Sequence, residues 1–227
     1  MTKFTIASYN IYKDDGDFPN RIYELSHKIN SKKFDVICLQ EDFESKEFSS
    51  SRFLNKNLGF NYITTRTRQK IRKDILSSSN LTIMSKYDIS LLEEIYFNKN
   101  KKEERACQII EVIINKSKLL LVNTHLSHIS SKERALQIEQ ILNYIKKYDK
   151  YDITMFCGDL NAQPNSNEIE LIRKKGFKDK NIQHSHENGV IIDYIFYKTN
   201  IDEIQVKSKI VLKSFSDHYC LVNKFEY

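Results

Sequence analysis

Short apolar runs separated by polar stretches recur along the whole chain, and their lengths are typical of buried β-strands. Several runs follow one another with no helical segment between them, which favours antiparallel pairing over a repeated strand-helix-strand unit. The runs predict strands at residues 4–10, 34–39, 61–65, 81–84, 91–97, 107–114, 119–125, 153–156, 190–196 and 219–225. The charged stretch at residues 98–104 is predicted to be a hairpin tip.

Helical patterns occur between some of these strands. Pro19 is predicted to open a first helix. Ser130 and Glu133 form a capping box that begins the clearest helix. Asn165 and Glu168 form a weaker box for a last short helix. The inner face of the helix after Ser130 is predicted to consist of four apolar residues at helical spacing, Leu136, Ile141, Leu142 and Ile145.

The composition indicates one globular unit. The 227 residues are 40% apolar, with 5 glycines and 2 prolines and no linker-like tract, so a single domain over residues 1–227 is expected. No signal peptide is evident, and no apolar stretch reaches the roughly 20 residues of a membrane helix. We expect a soluble intracellular protein without stable membrane association, and a monomer is favoured. Buried free thiols are expected at Cys38, Cys107, Cys157 and Cys220, which match no zinc-site spacing.

The net charge is +6, which is compatible with nucleic acid or an anionic membrane as a partner. Five basic residues and no acidic one lie in the segment 66–73. A solvated loop is the favoured interpretation of this segment. If it is extended instead, one face could follow a phosphate backbone. That face would carry Arg66, Arg68, Lys70 and Arg72.

The ends of several predicted strands carry polar residues. Gly158 would let the chain turn sharply and approach a ligand closely. Asp159 and Asn161 follow it, and on an extended backbone they would point to the same side. Taken alone, this segment is equally typical of an ordinary turn. Other strand ends carry Asn10, Glu41 and His125.

A carboxylate also interrupts the apolar run at residues 190–196. Asp193 is costly to bury among isoleucines unless it is paired. His218, in the segment Ser216-Asp217-His218, could supply the partner, and a buried Asp would fix its tautomer and raise its basicity. Three further histidines are interpreted as structural or loop residues, namely His128, His184 and His186.

Converging strand ends would form a site with oxygen ligands and two histidines, which suits Mg²⁺ or Mn²⁺ better than zinc. Six short motifs carry these residues along nearly the whole chain. They are Ser8-Tyr-Asn10, Leu39-Gln-Glu41, Asn123-Thr-His125-Leu, Gly158-Asp159-Leu-Asn161, Ile192-Asp193-Tyr-Ile and Ser216-Asp217-His218. Each is weakly specific alone, but six in this order are a strong signal. In this order they resemble the endonuclease/exonuclease/phosphatase superfamily.

Secondary motifs agree with the resemblance, and two features depart from it. Residues 79–85, the pair Glu104-Arg105 and the pair Arg134 with Gln137 are similar to further family elements. The strand at residues 79–85 lacks the usual glycine. A threonine-containing segment that often precedes the Asp193 motif is not found.

The resemblance implies a fold and an activity. The fold would be a four-layer α/β sandwich, with two mixed β-sheets packed face to face and helices outside. The activity would be hydrolysis of phosphate esters. Glu41 would be the main metal ligand, with Asn10 and Asp217 in the metal shell.

The resemblance also assigns roles to the remaining site residues. Asp159 would activate or orient the attacking water, and Asn161 would position that water against the phosphate. His218, held by Asp193, would stabilise the transition state or assist the leaving group. His125 would bind a phosphate oxygen from the other side.

Fold and motifs do not name the substrate. Nucleic acid is favoured because of the net charge and the basic segment. Thr124-His-Leu-Ser is similar to tyrosyl-DNA phosphodiesterases, but Tyr9 stands where those have tryptophan. A sphingomyelinase-type or small-molecule phosphodiesterase is the main alternative, although the loops at residues 98–104 and 180–189 are too polar for membrane insertion. A catalytically inactive binding module is disfavoured because no core motif is broken.

Overall fold

The computed structural model describes residues 1–72, 74–97 and 105–227, so the expected hairpin tip at residues 98–104 lies outside the described part. Within these ranges the order of elements is β1 (Lys3–Asn10), α1 (Asn20–Asn30), β2 (Val36–Ser45), α2 (Ser50–Asn55), β3 (Asn61–Arg72), β4 (Ile75–Ser85), β5 (Ile89–Tyr96), β6 (Ala106–Ile114), β7 (Ser117–His125), α3 (Ser131–Ile145), β8 (Ile153–Asp159), α4 (Asn167–Arg173), β9 (Asp193–Thr199), β10 (Gln205–Val211) and β11 (Cys220–Glu226).

The strands of the described chain form two mixed sheets. One has the strand order β10-β11-β1-β2-β4-β3, and the other has the order β5-β6-β7-β8-β9. Strands β1 and β2 are parallel in the first sheet, and β7 and β8 are parallel in the second. The carboxyl ends of a parallel pair meet at one sheet edge, where α/β proteins commonly place ligand chemistry.

Apolar side chains bury both faces of each sheet. Between the sheets, residues from both pack together, including Ile83 and Leu221 from the first sheet and Leu121, Met155 and Ile195 from the second. Helices α1 and α2 cover the outer face of the first sheet through Ile22, Leu25 and Leu54. Helices α3 and α4 cover the outer face of the second through Ile138, Ile141, Ile169 and Ile172. The layers run helix, sheet, sheet, helix, which confirms the predicted four-layer α/β sandwich.

The basic segment is the main departure from the predicted elements. It is not a loop, because β3 continues to Arg72 and pairs with β4 along its length. The register shifts between Thr65 and Arg68. Beyond the shift, Arg68, Lys70 and Arg72 occupy every second position and so share one face of the strand. Arg66 lies within the shift and pairs with Glu44. Lys73 lies outside the described residues.

Smaller departures have local causes. Leu136 is 57% exposed and does not belong to the inner face of α3. The side chain of Ser166, not Asn165, caps α4, since Glu168 is drawn into an ion pair with Arg134. Strand β9 begins only at Asp193. Strand β10 was not anticipated because its sequence, Gln-Val-Lys-Ser-Lys-Ile-Val, has the weak polar alternation of an edge strand.

The four cysteines are buried free thiols, as predicted. In the described ranges, no helix combines the length and the apolar character needed to cross a bilayer.

Candidate active site

The predicted site residues of the second sheet meet in one row. His125 ends β7, Asp159 ends β8 and Asp193 begins β9, and these three are direct neighbours in the strand register. Gln40, where the parallel pairing of β1 with β2 ends, donates a 2.8 Å hydrogen bond to Asn123 in β7, and this contact joins the two sheets just below the row. The site therefore lies where both parallel strand pairs end.

Gly158 is required by close packing between strands. A Cβ at this position would lie 1.9 Å from the carbonyl oxygen of Thr124 in β7. The close approach that requires a glycine at this position is to the neighbouring strand. The consequence for the site is that Asp159 is held directly beside His125.

Asp159 is the centre of the polar network. Its Oδ2 accepts a 3.1 Å hydrogen bond from Asn10 Nδ2 and lies 3.2 Å from His125 Nε2 and 3.5 Å from His218 Nε2. Burial alone would raise the pKa of this carboxyl, but His125 and His218 outweigh burial and hold the pKa well below its usual range. Asp159 is therefore an anion at neutral pH.

Asn161 reaches the site through a turn. The backbone at Asn161 is left-handed, with φ at 50°, so the extended geometry expected for Asp159 and Asn161 is wrong. The Asn161 N–H donates to Asp159 Oδ1 at 2.9 Å, which is an Asx-type turn. The Asn161 side chain donates to the carbonyl of Leu126 at 3.0 Å, and this contact fixes its orientation.

His218 and Asp193 form the predicted buried pair. Nδ1 of His218 lies 2.9 Å from Asp193 Oδ2. Burial opposes the charge on His218, but Asp193 and Asp159 raise its pKa to about 10. Burial also raises the pKa of Asp193, and the charge and hydrogen bond of His218 oppose that rise. His218 is a cation that faces Asp159.

Glu41 occupies a bulge in β2. The register with β4 shifts between Leu39 and Asp42, and Glu41 has φ of 54°. Asp42 fixes the bulge, since its carboxylate accepts from Thr82 Oγ1 at 2.6 Å and from the backbone N–H of Ser51 at 2.8 Å. The bulge turns Glu41 towards His125, whose Nδ1 is 3.9 Å from Glu41 Oε1.

A divalent cation fits the chemistry of Glu41. Burial tends to raise the pKa of its carboxyl, but His125, Lys13 and Arg105 lower the pKa below its ordinary value, so the group is an anion. Glu41 Oε2 is buried and accepts no hydrogen bond from any described residue. Lys13 Nζ lies 2.8 Å from this oxygen as an ion pair. A buried carboxylate oxygen of this kind is a suitable ligand for Mg²⁺ or Mn²⁺.

Asp217 lies beside His186, a residue of the polar loop before β9. His186 Nδ1 accepts from the backbone N–H of Asn188 at 3.1 Å, so its proton lies on Nε2. That nitrogen is 3.7 Å from Asp217 Oδ2, and the ring packs edge-on against His218 with centroids 4.6 Å apart. His186 thus lies in the predicted loop and also contacts the site, whereas His184 is exposed.

Metal-binding geometry is only partly assembled by the predicted ligands. In the described chain, two sets of three side chains each bring their possible ligand atoms within 4.8 Å of one another, and Glu41 belongs to neither set. Asn10 directs its amide nitrogen to Asp159, while its Oδ1 accepts from the Tyr12 N–H at 3.1 Å. The two sets are His186, Asp217 and His218, and Asp159, Asp193 and His218.

Some secondary motifs have structural contacts. Arg134 Nη2 pairs with the buried Glu168 at 2.7 Å, and Gln137 accepts from the Ser127 N–H at 2.9 Å. Arg105 lines the cleft beside Glu41, and its partner in the motif, Glu104, lies outside the described residues.

Ser185 and Lys13 are site residues that the sequence analysis missed. Ser185 Oγ accepts from the N–H groups of Ile192 and Asp193, both at 3.0 Å, and so sets the start of β9. A lone serine in a polar loop carries no signal of this role. The sequence around Lys13 carries no signal of a site role either, because only the fold brings its loop to Glu41.

The geometry can be compared with known proteins. The model of the Endonuclease/Exonuclease/phosphatase family matches residues 7–218. The chain belongs to this family. Members are generally hydrolases that act on phosphate esters and generally depend on a divalent metal. No match to a curated protein was found.

Several solved structures share the fold. A family protein from Leptotrichia buccalis is 18% identical, with 99% of this chain and 100% of that chain covered and a TM-score of 0.80. The mannosyl-6-phosphatase of Bacteroides thetaiotaomicron is 16% identical, with 99% and 100% covered and a TM-score of 0.76. The human Nocturnin catalytic domain with bound sulfate is 16% identical, with 99% and 93% covered and a TM-score of 0.78. At these identities the likeness concerns the fold alone.

Proposed function

We propose that this family member is a divalent-metal-dependent phosphodiesterase that acts on nucleic acid. The observation that carries the proposal is the position of Asp159, a buried anion within 3.5 Å of His125 and His218 and hydrogen-bonded to Asn10. Phosphoryl transfer needs an oriented nucleophile and stabilisation of charge on the phosphate and the leaving oxygen. This set of side chains can supply each of these.

Asp159 and Asn161 would act on the attacking water. Asp159 is ionised, so it can accept a hydrogen bond or a proton from that water. Asn161 is fixed by its contacts with Asp159 and Leu126 and would hold the water in line with the phosphate.

The two histidines would act on the phosphate ester. His218 is protonated through its pair with Asp193, so it can stabilise developing negative charge or give a proton to the leaving oxygen. His125 lies between Asp159 and Glu41 and would donate to a phosphate oxygen.

Glu41 would be the principal metal ligand, with Asn10 and Asp217 nearby. When bound there, Mg²⁺ or Mn²⁺ would supply positive charge that neutralises the phosphate. Asp42 would keep Glu41 in place by holding the bulge of β2.

Strand β3 supports nucleic acid as the substrate. Its Arg68 lines the cleft beside Glu41, and Lys70 and Arg72 continue on the same face. Arg72 pairs with Asp14, but Arg68 and Lys70 form no ion pair within the described chain. Burial and the neighbouring cations, Arg68 first among them, lower the pKa of Lys70. These two cations without an acidic partner favour a polyanion that follows the strand.

Small phosphoesters and lipids are the alternatives. The cleft beside Glu41 is lined by the cationic side chains of Lys13, Arg68 and Arg105, which suit the phosphate of any of these substrates. The β3–β4 hairpin exposes Ile71 and its cross-strand neighbour Leu76, by 71% and 61%. These two apolar side chains could enter a membrane, so a lipid substrate belongs in the assay.

A substrate panel tests the proposal. Hydrolysis of single- and double-stranded DNA, RNA, a 5′-phosphotyrosyl oligonucleotide, sphingomyelin, mannose 6-phosphate and an aryl phosphodiester would be measured with Mg²⁺, with Mn²⁺ and with chelator. Metal-dependent cleavage of a nucleic acid is expected. Cleavage of sphingomyelin or mannose 6-phosphate alone would replace nucleic acid with that substrate, and cleavage that persists in chelator would contradict the metal requirement.

A further inference from the structure

Lys13 is held against Glu41 by two contacts. Its backbone N–H donates to the Glu41 carbonyl at 3.0 Å, and its Nζ lies 2.8 Å from Glu41 Oε2. Both residues have left-handed backbones, with φ of 42° and 54°. The pair is a built feature and not a surface contact, since the two side chains are only 16% and 14% exposed.

Arg21 fixes the loop that carries Lys13. Its guanidinium donates to the carbonyls of Tyr12 and Lys13 at 2.6 and 2.7 Å, and to that of Asp15 at 2.8 Å. The same group donates to the carbonyl of Phe215 at 3.1 Å, which ties the loop to the segment of Asp217. Because several carbonyls are held at once, the ammonium of Lys13 is directed to Glu41 by the fold.

The ammonium and a divalent cation would compete for one oxygen. The ammonium of Lys13 lies 2.8 Å from Glu41 Oε2 and holds its positive charge directly against that oxygen. A metal ligand oxygen lies about 2.1 Å from Mg²⁺, and an ammonium at 2.8 Å from that oxygen would repel the ion. Asp15 Oδ2 lies 3.3 Å from Lys13 Nζ and offers the displaced ammonium a second partner.

Resting on the metal dependence proposed above, we infer that Lys13 is a built-in counter-ion of Glu41. Its ammonium neutralises the carboxylate before metal arrives and moves to Asp15 when a divalent cation binds. The ion pair thereby lowers the affinity for the metal. It also offsets the free-energy cost of burying the Glu41 charge in the metal-free protein.

Calorimetric titration of the chelator-treated protein with Mn²⁺, without substrate, tests this inference. Lys13→Met is expected to bind Mn²⁺ about tenfold more tightly than the wild type. Lys207→Met removes one charge from the exposed edge strand β10 without touching Glu41, and its affinity should stay within about twofold of wild type. Equal or weaker binding by Lys13→Met, or an equal gain in both variants, would overturn the inference.

Thermal unfolding gives a second readout. In chelator, Lys13→Met should melt below the wild type, and saturating Mn²⁺ should remove that difference. A deficit that Mn²⁺ does not remove would mean that Lys13 is only structural, and an unchanged midpoint in chelator would contradict the counter-ion role. Failure of the wild type itself to bind Mn²⁺ would overturn the proposed metal dependence, so the two failures are distinguishable.

Discussion

His218 Nδ1 lies 2.9 Å from Asp193 Oδ2, and the other ring nitrogen faces Asp159 Oδ2 at 3.5 Å. The imidazole is thus placed between two buried carboxylates that are neighbours in the register of β8 and β9. This position explains why His218 is a cation although burial opposes its charge. It also makes the protonation of His218 a measurable property of the site.

Asp193→Asn should move the alkaline limit of activity to lower pH. His218 has a pKa of about 10 in the folded protein, against an ordinary value of 6.5, so the wild type should keep its activity up to about pH 10. Without the Asp193 charge the pKa of His218 falls, and kcat/KM should decline from a lower pH. A pH profile of kcat/KM measures the shift, and Asp202→Asn, an exposed change of equal charge, should leave the profile in place.

The same pair predicts how stability depends on pH. Because folding raises the pKa of His218, its contribution is fully present below about pH 6.5 and is lost as the pH rises through about 10. Urea denaturation should therefore show the largest difference between wild type and Asp193→Asn below pH 6.5. A difference that grows towards pH 10 would contradict the protonated state assigned to His218.

Lys70→Gln should weaken nucleic-acid binding in a salt-dependent way. Each phosphate contact that is lost lowers the slope of log K against log salt by roughly 0.7 to 1. Binding of a fluorescent single-stranded oligonucleotide in chelator, measured over a range of salt concentrations, gives the slope. Lys207→Gln on the exposed edge strand β10 is the matched control and should keep the wild-type slope. Equal effects of both changes would show that β3 has no special role.

His186→Ala should lower activity about 10- to 100-fold, the usual effect of removing a group that orients a metal-shell carboxylate. The physical reason is the contact of His186 with Asp217 and with the ring of His218. His184→Ala removes an exposed histidine two residues away and should retain activity within about twofold. Full activity of His186→Ala at an unchanged thermal midpoint would exclude His186 from the site.

Gly158→Ala should destabilise the fold by at least ~3 kcal/mol, since the added methyl group would overlap the Thr124 carbonyl and β7 would have to move. Gly59 also has a positive φ, but nothing lies within 4 Å of the added Cβ, so Gly59→Ala should cost only ~1 kcal/mol. Urea unfolding of both variants separates the clash from the backbone preference. An equal loss of stability in the two variants would contradict the clash with the Thr124 carbonyl.

Much of the fold could be predicted from local pattern. The buried strands are continuous apolar runs, and Ser130 is the cap that its capping box indicates, with its side chain accepting from the Glu133 N–H. Strand β3 was misjudged beyond Thr65, because alternating cations without apolar partners are as typical of a loop as of an exposed strand. The pairing with β4 decides between the two, and pairing is not a local property.

The sequence could predict which residues belong to the site, but not most of the contacts between them. Polar residues at strand ends identified Asp159 and His125, whose neighbourhood follows from parallel pairing. Contacts that depend on loops were not foreseeable. Lys13 reaches Glu41 across a bulge, and His186 reaches Asp217 from a polar loop, so neither has a periodic signal.

The central claim is that Asp159 is the ionised group that acts on the attacking water. Asp159→Asn keeps the shape of the side chain and removes its charge, and Asp152→Asn, immediately before the start of β8, is the control for loss of one carboxylate. Single-turnover cleavage of an oligonucleotide with saturating Mn²⁺ should fall by about 10² to 10⁴ in Asp159→Asn and stay near wild type in the control. Wild-type cleavage by a folded Asp159→Asn protein would contradict the account.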